Sequence, residues 1–481
     1  MGWKMYKLTI PAEKYDEEEL NSKALYALIK QHETKGSLQK KMLLNKKVYD
    51  GEHAILEKQR KEGAPNTTVV CNHAKDISDT ASSYFAGNPI TFKADEGAEE
   101  KADKLFNAFT KAETDEADND NALNMSIYGV AYDYVYAKEG LTELSVKTLS
   151  PKNTFIVYDD TIEQNPLFAV YYYNRKDDSK PENNYYVATV LTETYRYVIN
   201  LYSMTGTGGA VFAKAKESDK SPHNMGGIPV VEWQNNKDCY GDFEQQIGLI
   251  EAYNTVMSDR VNDKEQIIDA LLVIYGAQLA DEEEGTKKAK RSLKKDGLLE
   301  LPDDAKAEYL IRSFDEGGVE TLRKAIKEDI YSFSHVPNLT DEHFVGNSSG
   351  VAMEYKLLGL EMITRTKERY YRKGLRKRIT LFCNYLNLKA IAVDPNSITP
   401  VFSRALPKNI MELSQVVSNL WGKVGKETLI KLLPFVDDAE EELTAIEAEN
   451  EEAIERQQKL FGGNANTPPE GIEDDPESKK A

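Results

Sequence analysis

Cysteine and histidine are scarce in this 481-residue chain, and long apolar runs are missing. The three cysteines, Cys71, Cys239 and Cys383, stand far apart and odd in number. That excludes the disulfide framework of a small secreted scaffold and reads as reduced thiols buried like small hydrophobes. The six histidines (His32, His53, His73, His223, His335 and His343) show no HxH or HxxxH spacing, so each reads as a packed or solvated side chain. The longest apolar run, Ala270–Tyr275, falls far short of the roughly 20 residues that cross a bilayer. The opening MGWKMYKLTI lacks the apolar core of a signal peptide, and Tyr6 stands where myristoylation needs Ser or Thr. The expectation is a soluble protein made in the cytoplasm, with no membrane partner. Basic charge is short too: 61 Lys and Arg against 80 Asp and Glu leave a net −19. Such a balance argues against a surface that grips nucleic acid, though not against one past which DNA slides.

Catalytic signatures fail on spacing. Gly422-Lys423-Val424-Gly425-Lys426-Glu427-Thr428 approaches a phosphate loop, but Glu427 stands where magnesium needs a hydroxyl and no strand precedes it. It reads as an exposed helix turn. Pro302-Asp303-Asp304-Ala305-Lys306 resembles part of a nuclease set, yet adjacent acids in one turn point apart, and a turn is preferred. Asp115–Asp120 lacks the bend glycine and closing glutamate of a calcium loop. No Ser, Cys or Thr has a nucleophile-elbow setting. The expectation is no enzyme, no metal and no cofactor.

Helices and strands are present in readable order, implying an α+β chain of two to four domains. Residues 12–62 carry helical stripes (Leu20, Ala24, Leu28; then Met42, Leu43, Val48) that end near Gly63-Ala64-Pro65-Asn66. Residues 67–92 suggest a strand, a helix capped by Asn72 or Asp76, and a second strand after the turn Gly87-Asn88-Pro89. A helix breaking at Gly129 precedes a strand with aromatics at Tyr132, Tyr134 and Tyr136. From there to Glu232 the pattern predicts an antiparallel meander. A helix over Asp242–Leu272 would be about 45 Å long, with an apolar stripe of Ile247, Ile250, Tyr253, Met257 and Val261. A charged lobe with strands LLEL and AEYLI follows, then a returning helix over Val319–Phe333. Residues 350–390 form a further long helix with Gly374 as a possible kink, and ITPVFSRALP supplies a strand that rejoins the body.

Three features stand out, each with a bland reading beside the functional one. Lys287, Lys288, Lys290, Arg291, Lys294 and Lys295 contact phosphates or form a partner surface in the lobe, or are merely a solvated helix face; the interspersed acids favour a partner or solvation over DNA. Arg365, Lys367, Arg369, Arg372, Lys373, Arg376, Lys377 and Arg378 contact DNA, or pair with acids of this subunit or an adjacent one; the acidic balance favours pairing. The polar loop His335–Gly350, with His335, Asn338, Thr340, Asp341, His343, Asn347, Ser348 and Ser349, is long for a helix connection, and such loops are more often functional than idle.

In order, the landmarks are Gly87-Asn88-Pro89, Ala122-Leu123-Asn124…Tyr128-Gly129-Val130-Ala131-Tyr132, and Leu149-Ser150-Pro151 before Val157-Tyr158-Asp159-Asp160. They continue through Gly227-Ile228-Pro229-Val230-Val231-Glu232, Gly241-Asp242-Phe243-Glu244 and Leu249-Ile250-Glu251-Ala252-Tyr253-Asn254…Ser258-Asp259…Asn262-Asp263, to Asn347-Ser348-Ser349-Gly350-Val351-Ala352. In this order the chain resembles the portal proteins of tailed phages, in the branch of long-tailed phages of Gram-positive bacteria. The resemblance implies a ring, usually of twelve, at one capsid vertex, sited in the virion and assembled in the host cytoplasm. Beside the N-terminal helical arm (1–40) read from its helical spacing, it implies an α/β wing (41–240), a first stem helix (241–272), a clip (273–316) and a second stem helix (317–334). A tunnel loop (335–350), a long wing helix with a returning strand (351–407) and a helical crown (408–461) complete the plan, and the composition of 462–481 reads as a disordered tail. The implied partners are the terminase large subunit, a head-to-tail adaptor, major capsid and scaffolding proteins, and double-stranded DNA in the channel. Two rivals are a metal-dependent nuclease using Asp303 and Asp304, and a monomeric helical adaptor of the phage head.

Overall fold

The structure is a computed structural model and describes residues 7–34, 37–60, 65–138, 143–176, 184–205, 211–268, 271–275, 306–310, 315–339, 350–404, 410–433, 436 and 439–461. Two units emerge, Met1–Val345 with Tyr355–Ala405, and Gly346–Glu354 with Leu406–Ala481. Strand β1 (Leu8–Ile10) leads into α1 (Ser22–Glu33) and α2 (Leu38–Tyr49), then α3 (His73–Ala86), β2 (Thr91–Ala94), α4 (Glu99–Lys111) and α5 (Thr114–Tyr128). Strands β3 (Val130–Ala137), β4 (Leu144–Leu149), β5 (Thr154–Asp159), β6 (Pro166–Lys176), β7 (Asn184–Leu191), β8 (Tyr195–Thr205), β9 (Val211–Pro222) and β10 (Val230–Gln234) follow. Then come α6 (Ile247–Ile268), β11 (Leu271–Tyr275), β12 (Lys306–Leu310), α7 (Glu316–Ser334), α8 (Gly350–Leu388), β13 (Ile398–Val401), α9 (Ile410–Leu420), α10 (Lys426–Ile430) and α11 (Ala439–Phe461).

Short polar side chains set several helix starts by accepting from otherwise unpaired backbone N–H groups. Asn21 takes those of Lys23 and Ala24 for α1, Ser37 that of Lys40 for α2, and Asn72 that of Lys75 for α3. Of the two residues proposed to cap α3, Asn72 serves. Helix α5 ends at Gly129, whose φ of +82° is left-handed. A Cβ there would lie 1.8 Å from the Cys239 carbonyl oxygen, so close approach as well as φ demands glycine.

The strands between Val130 and Gln234 divide into two sheets instead of the single meander expected. The larger has the order β1-β5-β6-β7-β8-β9 and the smaller β10-β3-β4. Strand β1 joins β5 in parallel and α1 covers the same sheet, with Leu8, Leu25, Leu28 and Ile29 in one core with Phe155, Val157, Phe168 and Val170. The N-terminal segment is therefore part of the body and not a separate arm. Around the smaller sheet a second core gathers Phe85, Met125, Val231, Trp233, Tyr371, Leu375 and Phe382. Strand β13 returns to the body by pairing antiparallel with β2. At Gly374, where a kink was expected, glycine serves packing: a Cβ would lie 2.4 Å from Trp233 Cε3.

In the second unit, α9, α10 and α11 bury Leu429, Ile430 and Ala439, and Gly422 (φ +78°) makes the turn after α9. The Gly422–Thr428 segment thus spans a turn and the start of α10. No helix among the described residues is long and apolar enough to cross a membrane.

Candidate functional site: an anchored helix pair

Helices α6 and α7 lie side by side and antiparallel, tied by a ladder of ion pairs. Lys264 meets Glu316 at 3.6 Å, and Arg260 reaches Glu316 and, at 2.9 Å, Glu320. Arg323 donates to Tyr253 Oη at 2.9 Å and to Glu320 at 2.7 Å. The hydrogen bond and charge of Arg323, helped by Arg260, hold the Glu320 carboxyl down at about 2 against the opposing effect of desolvation. Beyond the pair, β11 and β12 form a two-stranded antiparallel sheet, Leu271 opposite Leu310 and Tyr275 opposite Lys306. The sequence pattern extended α6 through Leu272; in the structure Leu271 and Leu272 already belong to β11, and the 22-residue α6 is about 33 Å long. Strand β12 carries the AEYL residues of the proposed lobe, whereas LLEL, Asp303 and Asp304 and the whole basic set Lys287–Lys295 lie outside the described residues.

The buried face of α6 differs from the apolar stripe read in the sequence. Met257 and Val261 are only half-buried, whereas Asn254, Ser258 and Asn262 are buried. These three side chains satisfy the backbone of the extended segment 67–71. Asn262 accepts from Thr67 N at 2.7 Å and donates to Thr67 O at 2.8 Å. Ser258 Oγ accepts from Val69 N at 2.9 Å, and Asn254 Oδ1 accepts from Cys71 N at 2.8 Å. Two extended residues advance about 6.6 Å and four helical residues about 6 Å, so alternate residues of the segment match every fourth residue of the helix. A strand was expected at 67–71, and the segment is extended, but its partners are helix side chains and not another strand. The signal was present as Asn, Ser and Asn at spacings of four, a polar stripe in a helix otherwise read from its apolar one.

The lower end of the pair is rooted in the body. Gly241, like Gly129, is packed too closely for a side chain, its Cβ position lying 2.7 Å from the carbonyl oxygens of Ser126 and Ile127. The Asp242 amide donates to Ser126 O at 2.8 Å. Lys41 binds Glu244 at 3.0 Å and Cys239 O at 2.6 Å, and Asn45 bridges Ile127 O and Glu244. Lys367, from α8, reaches Asp242 at 2.8 Å, both side chains nearly fully buried. A third anchor is His73, whose ring meets Tyr253 of α6 edge-on at 4.7 Å and whose Nδ1 lies 3.1 Å from Tyr331 Oη of α7. Tyr331 in turn donates to Asp76 at 2.7 Å. Burial, with help from Lys327, pushes His73 down to about 4.

Of the loop residues, His335 is exposed in a left-handed conformation (φ 59°) that ends α7, and Asn338 is half-buried. Thr340, Asp341, His343, Asn347, Ser348 and Ser349 lie outside the described residues. The basic run divides sharply. Lys367 and Arg378 are buried in ion pairs within this chain, Arg378 between Asp118 (2.7 Å) and Asp133. Arg365 pairs with Glu361 at 2.8 Å, and Arg372 donates to Pro400 O and covers the Phe402 ring. Burial pushes the partly buried Lys377 down to about 8. Arg369, Lys373 and Arg376 are exposed. Lys367 and Arg378 therefore leave the set available for contact with DNA or another subunit. Among the described residues no group of three His, Cys, Asp or Glu side chains is placed to hold a metal.

A family model described as phage portal protein, SPP1 Gp6-like, matches residues 30–456. The chain belongs to this portal family. Its relatives include the portal protein of Bacillus phage SPP1, 26% identical over 419 residues (80% of this chain, 76% of that one), and the portal protein of Clostridium phage phiCD119, 23% identical over 394 residues (77% and 82%). Among solved structures, a chain from the neck of an empty GTA particle computed with C6 symmetry aligns over 75% of this chain and 90% of that chain, at 11% identity and a TM-score of 0.43. The portal-family match runs through the whole helix pair, its root and the basic helix.

Proposed function

We propose that the chain is the ring-forming portal subunit at one vertex of a phage head, where double-stranded DNA passes during packaging and ejection. The observation that carries this reading is the antiparallel helix pair, tipped by a two-stranded sheet and rooted by buried ion pairs, in a chain of the portal family. In this reading α6 and α7 are stem helices lining the channel. The clip around 273–316 docks the terminase large subunit and later a head-to-tail adaptor. The loop 335–350 faces the moving DNA, and 408–461 form a crown inside the head, near capsid and scaffolding proteins. The two sheets with α1–α5 and the later part of α8 form the wing.

Electrostatics supports a conduit. Each neutralised phosphate adds salt-dependent affinity, so a channel that gripped the polyanion would stall it; a net charge of −19 avoids that. The ring is closed by head-to-tail contacts, with twelve copies as the proposed number. No catalytic step of its own is required, because force comes from a separate motor.

Negative-stain electron microscopy of the purified chain, with its mass in solution, tests the reading. Rings with a central hole and a mass that is a whole multiple of 54.2 kDa are expected. A chain that stays monomeric at every concentration, even with scaffolding protein present, overturns it.

A further inference from the structure

Helix α8 presents one outward face that no described residue of its own unit covers. Tyr355, Leu358 and Met362 are 74%, 51% and 63% exposed, and Arg365, Arg369, Lys373 and Arg376 continue the same line. At 3.6 residues per turn, Tyr371 and Arg378 point nearly the same way, while these seven residues are swung about 120–180° from them. Tyr371 and Arg378 both bind Asp118, so α5 lies against the opposite side of α8. Arg369, Lys373 and Arg376 form no ion pair among the described residues.

The same construction applied to α5 gives the complementary sign. Glu116 and Asp120 are swung about 160° from Asp118 and so face away from α8, and Glu113 is the left-handed residue that precedes the helix. They are exposed and line a cleft of about 370 Å³ between α5 and the segment Val146–Lys152. Asn124, Tyr128, Lys147 and Lys152 complete its walls. The α5–α8 layer thus carries a basic and apolar face on one side and an acidic cleft on the other.

We infer that the outward face of α8 docks onto the α5 cleft of the next copy of this chain. The inference rests on the ring reading and deepens it by naming the two surfaces that meet. Two different, mutually complementary faces on opposite sides of one subunit make a head-to-tail contact, the kind that closes into a ring and not into an isologous dimer. Opposite charges steer the encounter and set its register. The apolar half, Tyr355 to Met362, selects protein over DNA as the occupant, because a phosphate backbone gains nothing from covering it. The contact line runs about 32 Å along α8.

Charge reversal in the full-length chain tests the pairing. One variant carries Arg369→Glu, Lys373→Glu and Arg376→Glu; the other carries Glu113→Lys, Glu116→Lys and Asp120→Lys. Each alone is expected to lower the ring fraction at least tenfold in electron micrographs, and an equimolar mixture to restore rings of alternating subunits. Circular dichroism of each variant shows whether it is folded. Carbodiimide cross-linking of unmutated rings gives a readout that does not depend on the variants: Lys373 is expected in linked peptides with Glu113, Glu116 or Asp120. Rings indifferent to either reversal, a mixture of folded variants that fails to recover, or cross-links that join other surfaces each overturn the pairing. Rings that persist while DNA packaging is lost assign the basic face to DNA and likewise overturn it. An unmutated chain that forms no rings brings down the ring reading itself, an outcome distinct from rings that ignore the reversals.

Discussion

Arg378 carries its charge into a fully buried site, where Asp118 and Asp133 bind the guanidinium and the Trp233 ring lies 4.4 Å from Cζ. Burial pushes the Asp118 carboxyl up, against the pull of Arg378 and the hydrogen bond from Tyr371. Removing the arginine leaves two acids facing each other without compensation. Arg378→Met is therefore expected to cost about 3–5 kcal/mol, read by urea unfolding. At the second notable residue the sign is set by proton linkage. Folding lowers His73 from 6.5 to about 4, so the unfolded chain binds the proton more tightly. Its contribution is complete above pH 6.5 and is lost as pH falls through 4. His32, buried beside Tyr172 and also pushed down to about 4 by burial, behaves the same way. Thermal melts are expected to show Tm falling over this window, with a shallower fall for His73→Gln.

At the scale of elements, α6 and segment 67–71 form a composite in which helix side chains do the work of a neighbouring strand. Asn262 supplies both a donor and an acceptor to Thr67, so Asn262→Ala leaves two backbone groups unmatched and is expected to cost about 1–3 kcal/mol or more. Hydrogen exchange provides the check. The amides of Thr67, Val69 and Cys71 are expected to be protected in the parent chain, with protection at Thr67 lost first in the variant. The helix itself was legible from its uninterrupted run of residues, but its buried face was not. An apolar stripe outweighs Asn and Ser in any hydrophobic reading, and only the arriving backbone turns those side chains inward. Likewise Leu271 and Leu272 continue the helical pattern, yet pairing across to Lys306–Leu310, more than 30 residues later, makes them a strand.

For the whole molecule, the helix pair is held to the body by few but deeply placed links. Lys367→Met leaves Asp242 buried without its partner, and a loss of about 3–5 kcal/mol is expected, measured by denaturant unfolding. Function of the assembled ring is tested separately. Shortening the loop within 339–345 is expected to leave rings intact and to block DNA packaging; normal packaging by that variant removes the loop's proposed role. The basic run shows how scale changes a reading. As a string it is eight cations against one acid, open to DNA contact but favouring pairing with acids; folded, it gives Lys367 and Arg378 to the interior and keeps Arg369, Lys373 and Arg376 outside.

The existence of the helices and strands, the long α6 among them, was already written in local chemistry: the long runs without proline, the capping Asn72, the left-handed turn at Gly129 and the strand alternation all act between near neighbours. The ordered landmarks added the family. Tertiary structure alone decided which sheet each strand joined, which face of α6 was buried, and which cations of α8 stayed exposed. Those choices depend on partners more than a hundred residues away, such as Asp118 for Arg378 and Thr67 for Asn262, and no local period encodes them.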